Sequence, residues 1–448
     1  MKKFTTIILM LLVCACFMFG GCTSNVGMPE NYDMVVSNGG FVVGAGNYMY
    51  FGNAYKSYSE LTDGDNNGNV NQYSLNRLEL DRQTHPNSEW FKLQKNEEES
   101  YDFKKVADKI SAYQTSNLYV VNEYLYFTSP NVHKNKLNEH EYNLSSMFRI
   151  RLDGTGLKEL FTTESSDAKF YLTGGENKQL IVFDSKTIYS MNVSKNETRL
   201  KKLTNDIDVE GLVFPTCEQE LTNIYFTTGK TTGFSGNQLY KLNLVTGEAS
   251  QIKNIISSNE TLTILAYEYG TLFYSKSLRN KIYSNDFSGD YPTQNEKEHL
   301  AYDSNNTITN LTYVKCEDEE NNCFAFIYNN KLYVQMMSSN NISQAVKLSD
   351  KDAKIQMVNN GSIYYSSSDG IYKISVKEKV EKQISNLENF NAQAVDFDGR
   401  YIYFYAKEPN ITSNTEYLYR ADTYVDYVSV ECIALLLEED VATDETAE

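Results

Sequence analysis

The residues best suited to chemistry by type and spacing are Asp63-Gly64-Asp65-Asn66-Asn67-Gly68-Asn69-Val70-Asn71. Oxygen-bearing side chains stand at the first, third, fifth and ninth places, with a glycine at the sixth. Calcium takes about six to eight oxygen ligands, and glycine permits the sharp turn that such a loop needs. Asp63, Asp65, Asn67 and Asn71 would give side-chain oxygens, and Asn69 its backbone carbonyl. With Asp63 and Asp65 as the only carboxylates, the ion would be held weakly. The alternative is a plain polar insertion between two strands, because Asn, Asp and Gly favour turns for local reasons.

That spacing resembles the calcium loop of EF-hands, and departs from it at the twelfth place, where Ser74 replaces the bidentate Glu. Other chemistry is thinly provided. The histidines are His85, His133, His140 and His299, and none sits in a His-Glu-x-x-His arrangement. A Gly-x-Ser-x-Gly elbow and a phosphate loop are both missing. Carboxylates are plentiful, yet no pair stands out for glycoside cleavage. Binding is therefore expected rather than catalysis, with an envelope hydrolase or lyase on polysaccharide or peptide as the alternative. No cofactor is required by this reading beyond the weak calcium.

Of the seven cysteines, Cys217, Cys316, Cys323 and Cys432 follow the first 22 residues. Cys316 and Cys323 flank Glu-Asp-Glu-Glu-Asn-Asn and are candidates to staple a hairpin, which would stabilise by about 2.5 kcal/mol. Free thiols are the equal alternative. No pair has zinc-like spacing.

These groups must be carried by an exported chain if the first residues are read correctly. Met1-Lys2-Lys3 precedes an apolar run from Phe4 to Phe19, rather short for a membrane span of about 20 residues. Phe19-Gly20-Gly21-Cys22 resembles a bacterial lipobox, in which the cysteine is lipidated, although Phe19 stands where that motif prefers Leu. Val13-Cys14-Ala15-Cys16 is a second candidate, and a plain cleaved signal and an uncleaved anchor are the alternatives. A diacylated cysteine supplies the two chains that stable anchoring takes. The expected parts are a signal peptide over 1–21, a lipidated Cys22 with its tether over 22–33, a folded body over 34–435 and an acidic tail over 436–448. The expected place is the extracytoplasmic face of the cell membrane. The chain carries 59 acidic against 41 basic residues, a formal −18. Losing Lys2 and Lys3 would make it more acidic still. That argues against nucleic acid as a partner, since phosphate binding needs clustered Lys and Arg.

The body is written in repeats. An aliphatic residue, usually Tyr, a variable residue, aliphatic, variable, aliphatic recurs eight times. The plainest copies are Met147-Phe-Arg-Ile-Arg-Leu152, Leu239-Tyr-Lys-Leu-Asn-Leu244 and Ile371-Tyr-Lys-Ile-Ser-Val376. Others begin at Leu75, Ile188, Ile282, Leu332 and Leu418. Alternation with period two predicts strands, each with one buried and one wetter face. A second motif precedes them: Met49-Tyr-Phe51, Leu125-Tyr-Phe127, Ile224-Tyr-Phe226, Leu272-Phe-Tyr274, Ile363-Tyr-Tyr365 and Ile402-Tyr-Phe404. Leu180-Ile-Val182 and Phe324-Ala-Phe326 are degenerate copies. The two motifs read as a hairpin. A polar turn and a late leucine, as in Asp153-Gly-Thr-Gly-Leu-Lys-Glu-Leu160, and a strand such as Lys354-Ile-Gln-Met-Val358 complete four strands per unit.

From the copy at 147 to that at 418 the units advance by about 45 residues each, the period of a propeller blade. The expected fold is an all-β β-propeller of four-stranded antiparallel blades, eight by count, with seven the alternative. Phe41-Val42-Val43 is expected to pair with strands after Val428 to close the circle. Of the 35 tyrosines, most fall in the repeats and read as core. Those on longer segments, Tyr55, Tyr58 and Tyr142, with Trp90 and Phe234, are the candidates for ligand contact. The insertions over 53–73, 128–146 and 228–237 all fall between the two main motifs.

Ile-Tyr-Phe, Leu-Tyr-Lys-Leu-Asn and Asp-Gly-Thr-Gly-Leu-Lys-Glu-Leu together resemble an uncharacterised β-propeller family of bacterial surface lipoproteins of Gram-positive type. That family is distantly similar to TolB-type and low-density-lipoprotein-receptor-type propellers. Ser37-Asn38-Gly39-Gly40-Phe41-Val42-Val43, with Gly46-Asn47-Tyr48, adds to the likeness. It implies a surface protein without an assigned activity, binding a protein, peptide or envelope glycan. Its motifs are structural, and so specify fold far better than function.

Overall fold

The computed structural model describes residues 27–53, 74–79, 103–107, 117–131, 137, 141, 143–185, 187–204, 209–213, 223–228, 238–252, 262–268, 271–276, 279–286, 296–300, 309–336, 345–387, 395–397, 400–407, 416–425 and 427–434. These form two compact units, divided between Ser166 and Asp167.

The first unit holds two sheets. One is β1 (Val35–Val36), β2 (Val42–Ala45), β3 (Tyr48–Asn53), β4 (Ser74–Glu79) and β5 (Phe103–Ala107). The next is β6 (Tyr119–Val121), β7 (Tyr124–Pro130), β8 (Ser145–Arg151) and β9 (Lys158–Thr162).

The second unit holds six. They are β10 (Lys169–Leu172), β11 (Gln179–Asp184), β12 (Thr187–Asn192) and β13 (Lys201–Lys202), followed by β14 (Val209–Val213), β15 (Asn223–Thr228), β16 (Leu239–Asn243) and β17 (Ala249–Gln251). Then come β18 (Leu262–Glu268), β19 (Thr271–Lys276), β20 (Arg279–Asp286) and β21 (Lys297–Leu300), and β22 (Thr309–Val314), β23 (Cys323–Tyr328), β24 (Lys331–Met336) and β25 (Val346–Lys347). The last two are β26 (Lys354–Asn359), β27 (Ser362–Ser367), β28 (Gly370–Ser375) and β29 (Glu381–Ser385), and β30 (Val395–Phe397), β31 (Tyr401–Lys407), β32 (Glu416–Asp422) and β33 (Val430–Ala434).

Every sheet is an antiparallel meander in chain order. The fold is thus the all-β propeller type, with eight successive blades. Each Ile-Tyr-Phe copy lies in the second core strand of its sheet and each hexapeptide copy in the third, the extra β1 of the first sheet aside.

Register explains why both motifs carry aromatics. The third residue of the first motif sits opposite the second residue of the hexapeptide. Phe127–Phe148, Phe226–Tyr240, Tyr274–Tyr283, Phe326–Tyr333, Tyr365–Tyr372 and Phe404–Tyr419 are all such partners. Their ring centroids lie 5.4 to 6.0 Å apart, and the rings stack. Cross-strand aromatic pairs contribute about 0.2–1 kcal/mol each beyond alanine. The repeat is therefore a repeated stabilising contact.

The hexapeptide strands keep the expected wetter face, as at Lys373 and Ser375 beside the buried Tyr372 and Ile374 of β28, but the second strands do not. β23 is buried along its whole length, and β15 and β27 are buried at their four middle residues. The reason is stacking of sheet on sheet, which covers both faces. Ile181, Ile188 and Leu203 share a core with Ile224, Phe226 and Leu242 of the following sheet. Tyr225 and Leu239 meet Leu262, Leu272 and Tyr274. Phe273 packs on Tyr313 and Phe324 at 5.2 and 5.3 Å. Val314, Ala325 and Leu332 join Ile363, Tyr365 and Ile374, and Tyr364 and Ile371 join Ile402, Phe404 and Tyr419. In the first unit Val43 and Tyr50 pack with Leu125, Phe127 and Ile150.

Two of the shortest outer strands are wet. β13 and β25 have two residues each, all exposed, and each carries lysine. Short charged edges discourage pairing with other chains. Among the described residues, Val42 and Val43 pair with Phe51 and Tyr50 of β3, and the short β1 lies beside Gly44 and Ala45.

Candidate functional site

The turn after β27 shows how the sequence builds its sharpest corner. Gly370 has φ of +138°, and a Cβ there would lie 1.8 Å from Ser385 O. Only glycine fits. β28 then runs on through Lys373, whose cross-strand partner on β29 is Lys382. Two like charges directly opposite one another repel.

The groups around this pair come from three elements of the last two sheets. Lys373 Nζ lies 5.7 Å from the Tyr364 ring centroid and 5.5 Å from that of Tyr424. Lys382 Nζ donates to Val425 O, and to Thr423 O at 3.4 Å. Glu378 acts on Lys373 from the β28–β29 turn, but among the described residues neither ammonium has an ion-pair partner. Burial, and then the facing Lys382, hold Lys373 below the usual lysine range. Burial pushes the Tyr364 hydroxyl up to about 12, against the pull of its hydrogen bond with Thr423.

The connection from β32 to β33 is tied down at its start. Thr423 donates to Arg400 O through both N and Oγ1, at 3.1 and 2.8 Å. Tyr424 N donates to Asp422 Oδ1 at 2.9 Å, and Arg400 Nε to Asp422 Oδ2 at 2.8 Å. Burial opposes the charge of Asp422, yet the Arg400 and Tyr424 hydrogen bonds hold its carboxyl below the usual range. Among its described residues, two tyrosines are turned out to solvent. Tyr424 is 59% exposed and Tyr427 68%.

Three other carboxylates among the described residues are held by neighbouring side chains. Glu381 Oε1 accepts from both Ser349 and Tyr365. Glu296 accepts from Tyr274 at 2.5 Å and pairs with the buried Lys276 at 2.8 Å. Arg420 pairs with Glu431 at 2.7 Å and lies over the Tyr401 ring at 4.3 Å. Tyr274 and Tyr365 occupy the same place in their motifs, and each reaches a Glu at the start of its fourth strand.

Cys316 and Cys323 are free thiols in the structure, the second of the two readings left open by the sequence. Cys323 pairs in register with Val314, so Cys316 lies two residues beyond the ladder. The hairpin is closed instead by Cys316 N donating to Asn322 Oδ1 at 2.8 Å and its Sγ to Asn321 O at 3.2 Å. Burial raises both thiols; Asp318 raises Cys316 further, and Cys316 raises Cys323.

Cys22 and the calcium candidates Asp63, Asp65, Asn67, Asn69 and Asn71 lie outside the described residues, as do Tyr55, Tyr58, Trp90, Tyr142 and Phe234. The insertions over 53–73, 128–146 and 228–237, which carry all of these but Cys22 and Trp90, join the strands expected, β3 to β4, β7 to β8 and β15 to β16. Sequence reasoning missed Tyr424, Tyr427 and the lysine pair. The available signal was four lysines between 373 and 382 in an acidic chain, followed by two tyrosines outside any repeat.

No family model matches the chain, and no curated protein does. Among solved structures, an oligogalacturonate lyase in complex with manganese is similar at 11% identity and a TM-score of 0.45, over 67% of this chain and 86% of that one. An oligogalacturonate lyase from Vibrio parahaemolyticus gives 9% and 0.44, over 67% and 86%. Apo AztD from Citrobacter koseri gives 8% and 0.43, over 74% and 89%. Likeness this remote carries no argument about ligand or reaction.

Proposed function

We propose that this is a lipid-anchored extracytoplasmic protein whose propeller-type body binds or scaffolds a protein, peptide or envelope glycan without transforming it. The observation that carries the binding role is the tethered segment after β32, which holds Tyr424 and Tyr427 out to solvent. Tyrosine offers a large, stiff, amphipathic contact at low entropic cost. The pairing of Glu296, Glu381, Asp422 and Glu431 with neighbouring side chains supports a binding role over a hydrolase or lyase, which would need carboxylates free to move protons.

Anchoring rests on Lys2, Lys3, the apolar run and Cys22. A weak calcium ion at Asp63, Asp65, Asn67, Asn69 and Asn71 belongs to the same proposal. It would show as heat on titrating the protein with millimolar calcium.

The test of the binding role uses the full-length chain and a Tyr424→Ala, Tyr427→Ala double variant. Solubilised envelope glycan and peptide fragments are passed over each. Retention on the wild type, lost in the double variant at an unchanged thermal midpoint, is the expected result. Equal retention on both would contradict it.

A further inference from the structure

We infer that the place where β28–β29 meets the segment after β32 is a site for an acid-bearing glycan, with the acid group at Lys373 and Lys382 and a sugar face on Tyr424 and Tyr427. This rests on the binding reading above and names its ligand class.

Three features of the molecule point there. First, Lys373 and Lys382 face each other across the ladder. Their contacts are rings and backbone carbonyls, which attract an ammonium without neutralising it, and Glu378 of the turn offsets only part of the positive charge. A carboxylate or phosphate relieves the repulsion and gains charge-assisted hydrogen bonds from both. Second, this local excess of positive charge stands on a chain of formal −18. An anion is therefore drawn to this spot against the sign of the whole molecule, so the pair acts selectively. Third, Tyr424, whose ring lies 5.5 Å from Lys373 Nζ, and Tyr427, three positions further along the chain, are exposed while the repeat aromatics are buried. Tyr50, Tyr225, Tyr274, Tyr364, Tyr365 and Tyr403 all lie at 2% exposure or less, against 59% and 68% for Tyr424 and Tyr427.

The elements give the two parts different rigidity. Lys373 stands on a central strand between two rings. The tyrosines stand on a segment held by Arg400, Asp422 and Lys382. Lys382 thus has two tasks, since it also holds the segment's carbonyls. Lys373 is the cleaner probe, because its removal leaves the tether untouched.

A ring stacking on tyrosine accepts many sugars. The acid group makes the selection, and either a uronate carboxylate or a polyol phosphate meets the chemistry. Specificity then comes from the charge term, which added salt screens.

The experiment is calorimetry on the full-length chain with a uronate hexasaccharide, poly(glycerol phosphate) and neutral cellohexaose. The wild type is compared with Lys373→Met, Lys373→Arg and Tyr424→Ala, each checked for its thermal midpoint. At least one acidic polymer should bind about tenfold or more tighter than cellohexaose. Lys373→Met should bring it down to the neutral level, Lys373→Arg should keep most of the affinity, and Tyr424→Ala should weaken all binding. Whichever acidic polymer binds tells carboxylate from phosphate. Cellohexaose binding as tightly as the acids, or Lys373→Met leaving acid binding intact, would overturn the inference. So would absence of binding to both acidic polymers by folded wild type. That last result leaves the wider reading standing if peptide or protein fragments are still retained through Tyr424 and Tyr427.

Discussion

Ile371 and Tyr372 are neighbours in β28 yet belong to different cores. Ile371 packs with Ile384, Ile402 and Phe404, whereas Tyr372 packs with Ile363, Tyr365 and Ile374. A strand whose successive residues enter two cores is the local signature of a blade stacked between two others. The fold's stability is then a sum over interfaces rather than the property of one central core.

It follows that Ile371→Ala and Ile374→Ala act on separate interfaces. Each should cost about 2–5 kcal/mol as a fully buried aliphatic truncation. Sharing no core, their effects in the double variant should add to within about 0.5 kcal/mol. Denaturant unfolding of the two singles and the double measures this, and strong coupling would contradict the separation of cores.

The Tyr365 hydroxyl, fully buried, donates to Glu381 and lies 2.9 Å from Ser349 Oγ. Burial, and then the Glu381 hydrogen bond, raise its ionisation far above the usual tyrosine range. Tyr365→Phe keeps the ring stack on Tyr372 and removes the link to the fourth strand. A loss of about 1 kcal/mol is expected, read from the thermal midpoint. Tyr274→Phe should behave alike, because it reaches Glu296 in the same way.

Much of this was legible in the sequence. The hexapeptide starting at Ile371 and the triplet at Ile363 fall in the strands they predicted. What was not legible was the pairing of Tyr365 with Tyr372, since register depends on the turn at Ser368-Asp369-Gly370. Burial of both faces was also hidden. Alternation reports one face clearly, but Ile371 and Tyr364 are apolar at places where a two-layer sheet would carry polar residues. The lysine–tyrosine site was missed for a different reason. Lys373 and Tyr424 are 51 positions apart, and only blade stacking brings them together.

Lys373 supplies a pH signature. Its ammonium is disfavoured in the fold by burial and by Lys382, with Glu378 acting the other way and the Tyr364 and Tyr424 rings beside it. The folded chain thus binds this proton less well than the unfolded one. The penalty is complete below the folded pKa and is relieved as pH rises through it toward 10.5, the ordinary lysine value. Lys373→Met should therefore raise the thermal midpoint at neutral pH, with the gain shrinking in alkali. A gain that grows in alkali would contradict the assignment.

Cys22→Ser tests the anchor. In cells fed a tagged fatty acid, the wild type should carry the label and sediment with membranes. The variant should lose both, since one thioether-linked glyceride supplies the acyl chains on which stable attachment depends. A labelled or still membrane-bound variant would move the anchor elsewhere.

The most direct test of a binding role is to hold the protein with purified envelope polysaccharide and peptide at concentrations where retention is seen, and to follow the polymer itself. The account predicts retained polymer of unchanged length, with no new reducing ends, unsaturated ends or free amines over many hours. Steady release of any of these, abolished by heat denaturation of the protein, would contradict it and make the chain an enzyme.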